Sequence, residues 1–230
     1  MQSEGQISEV LLLDGLSNVH VHCDETLIPA AGQYVLAHAA GSDAPLATPL
    51  FALNNLHDGF VAAPPTPSTW NPGTRLFLRG PLGHGFILPP SCRRIALVAF
   101  HCSARTLLSL LEPAFRQNAS ITLVGSDIPD DLPLQVEAQP LHALTEVCRW
   151  ADFIALDIQR ELLPALRELL QPHRPVIMAE GQMLIRTPMP CGALAACGVC
   201  TVELRGKPYL ACEGGPVFDM HQALEWSSRA

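Results

Sequence analysis

The sequence predicts a multidomain protein of mixed β and α/β class. It has an antiparallel β-barrel over residues 1–92, a small parallel α/β domain over 93–180 and a cysteine-rich unit over 181–230. Three observations carry this. Up to Pro89, short apolar stretches alternate with Gly, Pro, Asn and Asp clusters, the pattern of many short strands. From Arg94 onward, continuous apolar runs alternate with helical periodicity, the mark of a parallel sheet covered by helices. Four of the eight cysteines, Cys191, Cys197, Cys200 and Cys212, then crowd into the carboxyl-terminal unit.

In the first unit the expected strands lie at Leu11–Leu13, Val19–Cys23, Tyr34–His38, Leu50–Leu53 and Leu76–Leu78. Ala63–Trp70 with its three prolines and the glycine-rich Gly80–Phe86 read as loops. In the second unit Ile95–Phe100, Ile121–Gly125 and Phe153–Leu156 read as buried strands. Ser103–Phe115 reads as a leucine-faced helix, and Ile158–Leu170 as a helix capped by Asp157. A further strand is expected at Pro175–Ala179. In the third unit strand-forming residues at Val199–Leu204 and Tyr209–Cys212 flank a turn at Arg205–Pro208.

Composition narrows the function. Of 230 residues 48% are apolar, ample for a core, and the 21 prolines favour short elements and turns. Net charge is −8 and Lys207 is the only lysine, so a basic nucleic-acid footprint is absent. A phosphate-binding P-loop is excluded as well, because Lys207 is followed by Pro208 and the earlier glycine position holds Thr201. Met1–Glu9 lacks the basic residues of a targeting peptide, and no uncharged apolar run reaches membrane-spanning length. The expected setting is the cytoplasm, where cysteines serve metals or redox chemistry rather than a disulfide framework.

The four clustered cysteines are separated by five, two and eleven residues. Three close cysteines and one remote partner match a [2Fe–2S] centre of the plant ferredoxin type. Gly192, Ala193, Ala195, Ala196 and Gly198 between them leave room for backbone N–H groups to reach the sulfurs. A structural zinc site is the rival, though four-cysteine zinc sites usually show two short-spaced pairs.

The run Met189-Pro-Cys-Gly-Ala-Leu-Ala-Ala-Cys-Gly-Val-Cys200, with Tyr209-Leu-Ala-Cys-Glu-Gly-Gly-Pro-Val-Phe-Asp219 after it, resembles the cluster-binding tail of the dihydroorotate dehydrogenase electron-transfer subunit. Gly32-Gln-Tyr-Val35 and Gly80-Pro-Leu-Gly-His-Gly-Phe86 are similar to segments of that family too. The domain order also resembles the wider ferredoxin reductase group. This implies a flavin-binding-type barrel, a nicotinamide-binding-type domain and an iron–sulfur domain, in an electron-transfer subunit of pyrimidine biosynthesis. By the same resemblance its partner is the flavoprotein catalytic subunit, in a hetero-oligomer.

This chain departs from the family in three places. Five residues, not four, separate Cys191 from Cys197, so one loop must bulge. Where the family has an arginine–proline motif for the FAD pyrophosphate, Leu46–Phe51 offers neither that arginine nor the hydroxyl after it. The resemblance leaves Thr48, Pro49, Thr69, Gly80 and Gly83 as the flavin-contact candidates, with His84 nearby, and FAD stays open. After the first α/β strand the family's glycine turn is replaced by His101-Cys-Ser-Ala-Arg105, which argues against NAD(P). Without that site the chain is expected to act as a relay with a partner and not as a complete NADH-linked reductase. The alternative is a non-enzymatic scaffold whose metal only stabilises the tip. His20, His22 and Asp24 share a strand face and could ligate a metal, but exposed strand faces often carry histidine. Cys102 reads as a buried thiol at a helix start.

Overall fold

In the computed structural model, residues 2–13, 15–177 and 179–226 are described. Six strands form the first unit: β1 (Gln2–Leu13), β2 (Leu16–His22), β3 (Tyr34–Ala39), β4 (Thr48–Leu56), β5 (Gly59–Ala62) and β6 (Arg75–Leu82). They close into an antiparallel barrel in the order β1-β2-β5-β4-β3-β6, so no strand edge is left unpaired. Alternate side chains, among them Ile7, Val19, Val21, Val35, Leu50, Phe60, Leu76 and Leu78, fill the interior. Strand β5 is too short and too close to β4 to stand out in the sequence. Strand β6 runs on through Gly80 to Leu82, into the segment expected to be a loop.

The second unit contributes β7 (Arg94–Ser103), β8 (Ser120–Asp127), β9 (Val136–Pro140), β10 (Phe153–Gln159) and β11 (Glu180–Arg186). Between them lie the helices α1 (Leu111–Arg116), α2 (Leu144–Trp150) and α3 (Leu163–Leu170). The expected helix at Ser103–Phe115 is a 3-10 segment, Ala104–Leu110, leading into the short α1, with Ser103 capping it by accepting from the Arg105 N–H. Helix α3 buries Leu163, Leu166 and Leu170 on one face against the sheet.

Two expectations fail here for a common reason. Asp157 does not cap a helix: it lies inside β10, fully buried, because the strand continues two residues beyond it. The strand expected at Pro175–Ala179 starts at Glu180 instead, after a turn over Arg174–Val176; Met178 lies outside the described residues. In both cases apolar content alone could not fix where backbone pairing starts and stops.

The sheet also continues past residue 180. Its order is β14-β11-β10-β7-β8-β9, in which β14 (Val217–Asp219) returns antiparallel to β11. The cysteines therefore lie on a long insertion, residues 187–216, between two neighbouring strands of one sheet. Within it β12 (Thr201–Leu204) and β13 (Lys207–Leu210) form a hairpin. Its turn residues Arg205 and Gly206 both take positive φ, 50° and 69°, as a tight two-residue hairpin requires. Among the described residues no helix is long and apolar enough to cross a membrane.

Barrel and sheet meet along a seam of Tyr34, Leu36, Phe51, Leu184 and Val217. Gly83 fits into this seam at φ 76°, and a Cβ there would lie 2.5 Å from Pro216 Cδ and 2.7 Å from the Gly215 carbonyl oxygen. The His84 N–H donates to that same carbonyl at 2.6 Å. Gly83→Ala is expected to cost about 1–3 kcal/mol, read as a lower urea midpoint with unchanged secondary structure.

Candidate functional site

The chain leaves β11 at Arg186 and winds through Cys191–Cys200 as a loop with four left-handed residues. These are Gly192 (φ 65°), Ala193 (60°), Ala195 (56°) and Gly198 (71°). Two of them are alanines, for which this conformation costs on the order of 1 kcal/mol each. The winding accommodates five residues between Cys191 and Cys197 and turns successive N–H groups inward. The Cys191 sulfur accepts from the N–H of Ala196, then from Leu194, the Cys197 thiol and the Cys197 N–H, which together lower its pKa to about 6.

The β12–β13 hairpin brings the remote cysteine back. The Ala211 N–H donates to the Cys200 carbonyl at 3.0 Å, and the sulfurs of Cys200 and Cys212 share a hydrogen bond at 3.3 Å. Burial pushes the Cys212 thiol up to about 11, the Cys200 side chain and the charge of Cys191 adding to it, while the Ala195 N–H pulls it down. Of the four cysteines, Cys191 is hydrogen-bonded to Cys197 and Cys200 to Cys212, which makes two linked pairs. Among the described residues no three potential ligands stand closed round a single ion. Cys200 is buried and Cys197 exposed, so the group reaches from the interior to the surface.

Arginines hold this segment by its carbonyls. Arg79 of β6 donates to Gly192, and Arg160 donates to Val199 at 2.6 Å and Thr201 at 3.1 Å. Arg167 of α3 donates to Glu203 at 2.9 Å. The surface beside the cysteines exposes Leu194, Val199 and Tyr209.

A cleft separates barrel from sheet. One lobe, about 450 Å³, lies between Ser17, Pro64–Thr66 and the strand ends at His101–Ser103 and Asp127. The other, about 410 Å³, has Thr48, Pro49 and Phe51 on the barrel side and Gln159, Glu161 and Met189 opposite. Both are bordered by Pro65, Gln159 and Arg186. Of the flavin-contact candidates, Thr48 and Pro49 line the second lobe. Thr69 and the packing glycines Gly80 and Gly83 line neither.

Arg186, the only basic side chain lining either lobe apart from the imidazole of His101, is already engaged. Its Nε and Nη2 each lie 2.7 Å from a carboxylate oxygen of buried Asp157, its Nη2 also meets the Thr106 hydroxyl at 2.5 Å, and its guanidinium lies 4.8 Å over the Phe51 ring. The other charged groups on the walls, Asp127 and Glu161, are carboxylates. Arg186 is thus held by Asp157 on its Nε and Nη2 edge and is not a fully open donor fork for a phosphate. Near the end of β7, where its register with β8 shifts between Ala99 and Ser103, His101 takes φ 54°, a left-handed position that favours glycine, and packs edge-on against buried Phe100 with ring centroids 4.7 Å apart.

Neither Asp157 nor Arg186 was singled out as a site residue from the sequence. The available signal was one charge in each of two apolar strands, Ile-Ala-Leu-Asp-Ile and Met-Leu-Ile-Arg, which parallel neighbours can pair. Cys102 is held inert: its thiol donates to the Asp157 carbonyl at 3.3 Å and burial raises its pKa strongly. The histidine face is rearranged as well. Asp24 caps a turn by accepting from Thr26, and it is Asp58 that faces His20 at 3.4 Å and His22 at 3.5 Å.

Two outcomes are expected. In metal-free protein, alkylation of Cys191 rises through about pH 6 and that of Cys212 only near pH 11, followed by mass spectrometry of the modified peptides. Asp157→Asn leaves Arg186 without its counter-charge and is expected to cost about 3–5 kcal/mol in denaturant unfolding.

No protein-family model matches the sequence. Among solved structures, the chain is similar to the NADH-dependent reduced ferredoxin–NADP oxidoreductase studied for flavin-based electron bifurcation. The TM-score is 0.73 at 15% identity, over 95% of this chain and 88% of that one. The ferredoxin reductase of carbazole 1,9a-dioxygenase matches with TM-score 0.61 at 18% identity, over 75% of this chain and 65% of that one. Phthalate dioxygenase reductase, described as modular for electron transfer from pyridine nucleotides to [2Fe–2S], matches with TM-score 0.57 at 13% identity, over 82% and 70%. The closed barrel followed by a parallel α/β sheet is thus a ferredoxin reductase-like fold.

Proposed function

We propose that this chain is an electron-transfer subunit that relays electrons through a [2Fe–2S] centre held by Cys191, Cys197, Cys200 and Cys212. The observation that carries the reading is the arrangement of these cysteines as two linked pairs under inward-facing N–H groups. A two-iron centre takes two thiolates per iron, whereas a single zinc gathers four sulfurs into one tetrahedron.

When bound, such a centre supplies a one-electron carrier whose potential follows from hydrogen bonds and solvent exposure. The chain's own residues supply those conditions. The N–H groups of Leu194, Ala195, Ala196 and Cys197 stabilise negative charge on the sulfurs. Arg79 and Arg160 hold the loop by its carbonyls, which limits how far it rearranges as charge comes and goes. Exposed Cys197, with Leu194 and Val199 beside it, is the face on which a partner approaches.

By resemblance that partner is a flavoprotein oxidoreductase subunit, the catalytic subunit of dihydroorotate dehydrogenase, in a hetero-oligomer in the cytoplasm. Each electron taken from the reduced partner leaves to an acceptor on the other side. FAD is the companion cofactor that the resemblance implies; the reading assigns no step to it or to NAD(P), because the cleft's arginine is bound to Asp157.

The test is a visible spectrum of anaerobically purified protein before and after reduction, with iron, sulfide, zinc and released flavin assayed on the same sample. Iron and sulfide with bleaching on reduction are expected, and Cys200→Ser abolishes electron transfer to and from the partner. Colourless protein after anaerobic reconstitution, with zinc at the cysteines, overturns the relay and leaves a metal-stabilised scaffold. Undiminished turnover by Cys200→Ser overturns it as well.

A further inference from the structure

Tyr34 lies on β3 in the seam between barrel and sheet, with no accessible surface. Its ring is fixed on several sides. Phe51 lies 5.8 Å away between centroids, Gly83 approaches the ring edge, and Leu184, Val217, Met189 and Ala193 of the cysteine loop belong to the same packed group. Its hydroxyl, however, is buried and has no hydrogen-bond partner. A buried donor is seldom left so, because it loses its hydration without compensation. At such a position an unpartnered hydroxyl marks a group that arrives later.

The electrostatic neighbours of that hydroxyl are the sulfurs of Cys212, Cys200 and Cys191, together with the guanidinium of Arg79. Arginine is a donor only and cannot take the phenolic proton. Arg79 is moreover turned toward the Gly192 carbonyl. Met189 and Ala193 of the cysteine loop pack in the same group as the ring, so the acceptors that a bound centre would bring to this side are sulfurs.

Resting on the iron–sulfur reading above, we infer that the Tyr34 hydroxyl donates a hydrogen bond to a sulfur of the bound centre and raises its reduction potential. A donor to sulfur favours the more negative, reduced state, so its removal moves the potential down. The interaction also ties the barrel to the cysteine segment, so loading the centre tightens the seam.

Tyr34→Phe keeps the ring and removes only the hydroxyl. In the reconstituted full chain, the variant is expected to show a more negative midpoint potential by spectroelectrochemistry. Pulsed electron paramagnetic resonance of the reduced wild type in deuterated buffer should show an exchangeable deuteron coupled to the centre that the variant lacks. Thermal unfolding gives an independent sign: the variant is at least as stable as wild type without the centre, and less stable with it. An unchanged midpoint and an unchanged deuteron signal overturn the inference while leaving the relay intact, as does equal destabilisation of both forms, which would mean a partner within the protein. Failure of the wild type to take up iron and sulfide at all overturns the underlying reading instead. If the variant alone fails to hold the centre, the wild-type deuteron spectrum decides: an exchangeable proton beyond those of the backbone amides supports the bond, and its absence overturns it.

Discussion

The bidentate pair between Asp157 and Arg186 stands where all the parts of the chain meet. Asp157 lies in the middle of β10, Arg186 ends β11, Thr106 belongs to the turn after β7, and Phe51 is a barrel residue. A carboxylate with no accessible surface is tolerated only with a well-placed counter-charge and satisfied hydrogen bonds, and the partly exposed Arg186 supplies both. Because the pair is intolerant of displacement, it fixes the end of β11 against the barrel. The cysteine insertion begins at the next residue.

That placement explains how a segment with little core of its own stays in shape. Residues 187–216 leave and re-enter the sheet through adjacent strands, and arginines from β6, the turn after β10 and α3 catch its carbonyls in between. Arginine serves this role well because its planar fork is always charged and needs little further ordering to meet two acceptors. Arg79, Arg160 and Arg167 fill this role in a chain that has a single lysine.

The fold class was legible because it rests on long-range alternation that sequence shows directly: short strands and turns first, buried strands with helices afterwards. The crowding of the four cysteines was legible from spacing, and the need for extra winding between Cys191 and Cys197 could be read from one extra residue. Less accessible were features set by pairing between distant segments. The extension of β10 past Asp157 depends on β11 and β7 running beside it, and β11 itself began five residues later than its apolar run suggested. The return of the sheet through β14 was hidden for the same reason, since three residues of strand carry almost no local pattern. Asp58 replaced Asp24 beside the histidines because strand β5, which positions it, was not seen at all.

The barrel–sheet crevice and the cysteine loop each hold non-glycine residues in left-handed backbone, with different surroundings. In the crevice, His101 near the end of β7 takes a left-handed backbone conformation, and Arg186 is paired with the Asp157 carboxylate. In the loop, alanines accept strained backbone conformations that serve to aim N–H groups at sulfur. Strain of that kind persists where the surroundings enforce it, and it clusters at functional sites. The left-handed backbone at Ala193 and Ala195 bears on the proposed relay through the N–H groups of Leu194, Ala195 and Ala196, which meet the sulfurs of Cys191 and Cys212.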